Sequence, residues 1–110
     1  MATLFKNSLA SGVGTSEVTA LTSASNARTT VIGLSLTNLT DSPITVSITI
    51  YDPAPDVTAY FIKNVEIPIQ TSLRAINGGE KLILAPSSVV KIWSSDDSSL
   101  DFVMSYVEII

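Results

Sequence analysis

The chain has 110 residues, 45% of them hydrophobic and 15% charged, with a formal net charge of -4. That length makes one domain with its own core, and six Lys and Arg scattered from Lys6 to Lys91 exclude the clustered basic patch that nucleic acid or anionic lipid requires. With neither Cys nor His, disulfides, thiolate chemistry, a Ser-His-acid triad and histidine-ligated metal are excluded too.

No long stretch places apolar residues at helical spacing, and β-branched residues crowd most segments, so the expected class is all-β. Nine strands are predicted, at residues 3–9, 17–21, 29–37, 44–51, 58–65, 68–74, 81–84, 88–93 and 102–109. Short strands between turn clusters point to a single-domain antiparallel β-sandwich, Ig-like or jelly-roll, with eight to nine short strands.

The first segment, MATLFKNSLASGVG, lacks the continuous apolar core of a signal peptide, and nowhere do about 18 apolar residues run together. The expectation is a soluble protein not exported by the usual route, with SGVG as a turn after the first strand. In 29–37, Ile32, Leu34 and Leu36 share one face, while Val31, Gly33 and Ser35 share the other. Asn38-Leu39-Thr40 matches a glycosylation sequon but is read as a turn.

In 44–51, Ile44, Val46, Ile48 and Ile50 point one way, and Thr45, Ser47, Thr49 and Tyr51 point the other. An outward face of small hydroxyls and a tyrosine, with no charge, is suited to contact with a neighbouring subunit. Lys and Glu there would lose roughly 1.5–2 kcal/mol each of rotamer entropy on being immobilised. DPAPD follows, with Asp52 and Asp56 around two prolines, and later DDSSLD groups Asp96, Asp97 and Asp101. Either cluster could offer oxygens to Ca²⁺, but the spacing and closing Glu of an EF-hand are missing, so both are read as turn caps and no metal is expected.

Asn77-Gly78 carries the sharpest hairpin signal. In 88–93, Val90 and Ile92 are predicted inward and Lys91 and Trp93 outward, while 102–109 is apolar on both faces and wants cover on both. Tyr51, Tyr60, Lys91 and Trp93 are therefore the candidate partner-binding residues. Aromatic side chains offer large rigid contact area, and three of the chain's outward candidates also carry a polar handle. Phe61 is assigned to the core. No catalytic residue, cofactor or metal ligand is expected, and the many serines are read as structural.

The succession TLFKNSL, RTTVIGLSLTN, ITVSITIYD, AYFIKNVEIP, GGEKLIL, VVKIW and FVMSYVEI resembles small all-β structural proteins of tailed bacteriophages over nearly the whole chain. The resemblance implies a non-enzymatic virion component made in the host cytoplasm. Its expected role is capsid decoration (cement) or, alternatively, a head-tail junction or tail accessory. Implied partners are further copies of itself, in a homo-oligomer such as a trimer, and the major capsid protein or other virion proteins; neither nucleic acid nor membrane is among them. Ala85-Pro86-Ser87-Ser88 departs from the Gly-Asp turn common after the LIL strand in such proteins. A carbohydrate-binding sandwich used in host adhesion is the competing reading, motivated by Trp93, the tyrosines and the Asp clusters.

Overall fold

A computed structural model describes residues 2–76 and 81–110. The predicted hairpin at Asn77-Gly78 lies outside the described residues. Nine strands form: β1 (Thr3–Val13), β2 (Val18–Thr22), β3 (Arg28–Asn38), β4 (Ile44–Asp52), β5 (Val57–Ile67), β6 (Ser72–Ile76), β7 (Leu82–Leu84), β8 (Val89–Ser94) and β9 (Leu100–Ile109). No helix among the described residues is long and apolar enough to cross a membrane.

The strands make two antiparallel sheets. Sheet A runs β1-β9-β3-β6, with β7 also on β3, and sheet B runs β2-β8-β4-β5. The pairing is nested: first with last, β2 with β8, β3 with β6 and β7, and β4 with β5. A chain folded back once at the β4–β5 connection and then rolled, its successive pairs alternating between sheets, is a jelly roll. The sandwich expectation therefore holds, and strand order decides between its two forms.

Between the sheets lie Leu36, Val31, Met104 and Phe102 from sheet A, against Val46, Ile48, Val90 and Ile92 from sheet B. All are 3% exposed or less. Each belongs to an alternating series, so burial on one side of each strand follows from the two-residue period. At the sandwich end, Asn38 is 1% exposed. Its Nδ2 lies 2.9 to 3.2 Å from the carbonyls of Ser42, Ile67 and Pro68, and its Oδ1 accepts from Thr40. The sequon asparagine is thus the hub of a turn.

Three expectations change. The predicted strand at 68–74 begins only at Ser72, because Gln70 takes φ 48° and Thr71 Oγ1 donates to the Ile69 carbonyl, making a turn of 68–71. β1 does not stop at SGVG: Gly12 adopts φ 71° in a bulge, and Val13 pairs again with Leu100. A positive φ costs Gly nothing sterically, so the strand bends without ending. In β3, Val31 pairs with Tyr106 and Gly33 with Ser105, leaving Ile32 as the extra residue of a bulge. The alternation changes phase there, so Val31 is buried with Leu34 and Leu36, and Ile32 is only partly covered.

Candidate interaction surfaces

The outer face of sheet B gathers all four sequence candidates. β4 is flanked by β8 and β5, with Trp93 opposite Ser47, Lys91 and Tyr60 on either side of Thr49, and Val89 and Thr58 on either side of Tyr51. Strands two positions apart lie roughly 9.6 Å from each other, yet the Trp93 and Tyr60 rings meet edge to face with centroids 6.1 Å apart. The rings therefore lean together over β4. Ser47 and Thr49, outward by period, are 2% and 7% exposed beneath them. Two of the three small hydroxyl residues of β4, Ser47 and Thr49, are covered by their own neighbours, where contact with another subunit was the expectation.

Beside that aromatic pair opens a trough of about 480 Å³. Thr49, Tyr51 and Thr58 line it together with Val89, Lys91 and Glu17. The Tyr51 hydroxyl donates to Asp56 Oδ1 at 2.8 Å, and this bond, then burial, then the charges of Asp56 and Asp52 raise its pKa above the usual tyrosine value. Lys63 Nζ stands 5.1 Å from the Tyr60 ring centroid, within cation–π range. Neither Lys91 nor Glu17 forms an ion pair among the described residues.

Tyr60 owes its position to irregularities in β5. Ile62 pairs with Ile48 and Tyr60 with Thr49, so Phe61 is an extra residue; Phe61 and Ile62 pack on the core while Tyr60 stays outside, 52% exposed. A second bulge sits opposite Ser47, where Asn64 takes φ 50°. Its backbone N–H donates to Ser47 Oγ at 3.0 Å, and that hydroxyl donates to Asn64 Oδ1 at 3.2 Å.

The other outer face, of sheet A, exposes large apolar side chains. Phe5 is 77% exposed, Leu9 64%, Val103 49% and Ile83 79%. Register sets them in rows: Phe5 beside Val107, then Thr30 and Ile83, and Leu9 beside Val103, then Ser35 and Arg74. The sequence flagged both faces of β9 as wanting cover but missed Phe5 and Leu9, although these two also sit at even spacing. On the inner side of the same edge strand, Lys6 Nζ lies 2.6 Å from the buried Glu108 carboxylate. An inward charge on an edge strand hinders pairing with a further strand.

The acidic clusters are engaged in hydrogen bonds. Asp52 Oδ1 accepts from the Ala54 N–H, Asp101 Oδ1 from the Gly12 N–H and Asp97 Oδ1 from Thr15 Oγ1. Of these three, the Asp52 contact has the Asx geometry expected of a turn cap, whereas Asp97 and Asp101 bond to residues 82 and 89 positions away and tie the start of β9 and the loop before it to the end of β1 and the turn after it.

This architecture recurs in solved assemblies. The chain aligns over 97% of its length with 31% of a chain of the T13 particle of infectious bursal disease virus, at 14% identity and TM-score 0.61. It aligns over 96% with 86% of a subunit of the disulfide-linked pili of Bacillus endospore appendages, at 10% identity and TM-score 0.55. Against the VP2 subviral particle of the same virus the TM-score is 0.53, at 11% identity. The likeness is one of fold. The chain spans about a third of the two viral chains, 31% and 32% of their lengths. No family model matches the sequence, and no curated protein does.

Proposed function

We propose that this chain is a non-enzymatic structural subunit of a virus particle, held among its neighbours through the outer face of sheet A. The observation that carries the proposal is the exposure of Phe5, Leu9 and Val103 together on that face. Four strands about 4.8 Å apart and ten residues long make a face of roughly 650 Å², close to the ~800 Å² per partner of a standard interface. On that face Phe5, Leu9, Ile83 and Val103 stand exposed among Asn7, Thr30, Ser35 and Arg74, a mixture of large apolar and polar side chains like that of protein contact surfaces. The solved neighbours come, by their own descriptions, from virus particles and pili, in which subunits pack together.

More narrowly, the whole-chain resemblance supports a capsid decoration protein of a tailed bacteriophage, assembled as a homo-oligomer such as a trimer and seated on the major capsid protein. Decoration of this kind adds buried area across capsomer junctions without touching the packaged DNA, consistent with a surface of net charge -4. Light scattering on the purified chain and electron cryomicroscopy of particles test the proposal. Regular copies on the head support decoration; copies confined to the neck or tail move the assignment within the virion. Absence from purified particles overturns it.

A further inference from the structure

We propose that the trough on the outer face of sheet B is a binding site for a neutral oligosaccharide. The site is independent of the packing role given to sheet A, because it lies on the opposite side of the sandwich. A pyranose ring presents a patch of C–H groups on one face and a rim of hydroxyls that both donate and accept. The trough offers the complement of each. Trp93 and Tyr60, propped against each other over β4, form an aromatic wall for the C–H patch.

Around that wall stand groups able to serve a hydroxyl rim. Lys91 donates, Glu17 accepts, and neither is committed to an ion pair among the described residues. The Tyr51 hydroxyl spends its proton on Asp56, which fixes the phenol and leaves its oxygen able to accept. Lys91 and Lys63 balance Glu17 and Asp56 in charge around the trough, which argues for a neutral sugar over a phosphate or an ammonium group. The volume of about 480 Å³ falls within the roughly 300–1,000 Å³ of small-ligand sites.

Shape also separates this face from a protein anchor. An aromatic hot spot projects into a pocket on its partner, whereas Trp93 is half-buried and leans onto Tyr60, leaving a hollow for something to enter. An extended sugar chain can lie in an open trough without the broad flat complementarity that a protein needs.

Trp93 is the chain's one tryptophan, so its emission reports on the site. The test is a screen of the purified chain on an array of bacterial and plant oligosaccharides, with fluorescence titration by neutral hexasaccharides of glucose, galactose, xylose and N-acetylglucosamine. A saturating change in Trp93 emission is expected with at least one of them. Tyr60→Ala and Lys91→Met should each weaken it by about tenfold; Lys91→Met should leave the melting temperature nearly unchanged, since Lys91 forms no ion pair among the described residues, whereas Tyr60→Ala should lower it by a few degrees through loss of the Trp93 contact. Silence across the array and in every titration to ~10 mM overturns the proposal. So does binding unaltered in both variants, or a Trp93 signal that follows only self-association, which would give this face to protein contact.

Discussion

Ser47 and Asn64 hold each other across the β4–β5 pair: the Asn64 N–H donates to Ser47 Oγ at 3.0 Å, and the same hydroxyl donates to Asn64 Oδ1 at 3.2 Å. The exchange fixes a bulge in which Asn64 takes φ 50°, a conformation Asn tolerates better than most residues. Ser47 is 2% exposed, so water cannot replace it. Ser47→Ala should cost about 1–3 kcal/mol, the penalty for a buried group left without its partner. Urea denaturation will read this as a lower midpoint with an unchanged slope.

Thr29 is fully buried, and its Oγ1 has no hydrogen-bond partner among the described residues. Replacing a hydroxyl in that position by a methyl removes a desolvation cost without opening a cavity. Thr29→Val is therefore expected to stabilise the fold by about 1 kcal/mol, raising the thermal midpoint by several degrees in a domain of this size. A lowered midpoint would contradict the assignment of that hydroxyl as unsatisfied.

Alkaline pH should lower the stability of the protein. The hydrogen bond to Glu108, and then its charge, raise the Lys6 pKa, and the bond to Asp56 raises that of Tyr51. Both folded-state values stand above the unfolded ones. The associated stabilisation is thus fully present below the unfolded values and lost as pH rises through the folded ones. Melting temperature should fall from about pH 10 upward. The fall should be shallower when Glu108→Gln and Asp56→Asn are combined, each variant being compared with its own midpoint at pH 8.

Phe5→Ser with Leu9→Ser tests the apolar face directly. Both side chains are mostly exposed, so folding should change by only about 0.5 kcal/mol. Association through that face should weaken by two orders of magnitude or more, at roughly 1.5–3 kcal/mol for each large apolar side chain buried in a contact. Light scattering and particle incorporation are the measurements; retention of both would remove sheet A from the interface.

Alternation alone orients β4, since Ile44, Val46 and Ile48 are buried on one side and nothing in that segment interrupts the period until Tyr51. It orients Lys91 and Trp93 equally well. It fails in β3 because an extra residue at Ile32 leaves composition untouched and reverses the phase of what precedes it. The grouping of Tyr51, Tyr60, Lys91 and Trp93 in one trough depends on β4 lying between β5 and β8, and periodicity reports which side a residue faces, never which strand lies next. The burial of Ser47 and Thr49 was illegible for the same reason: rings from two other strands cover them.

The central place of β9 in sheet A, between β1 and β3, bears on how the molecule is made. β1 and β3 do not pair with each other, so β1 has no place in sheet A until β9, made some ninety residues later, is there. Sheet A cannot close until translation has passed Ile109, and its closure joins segments far apart in sequence, which is slow by nature. Until β9 is in place, Phe5 and Leu9 lie on a segment with no sheet to display them, and the outer face of sheet A comes into being only when its central strand arrives.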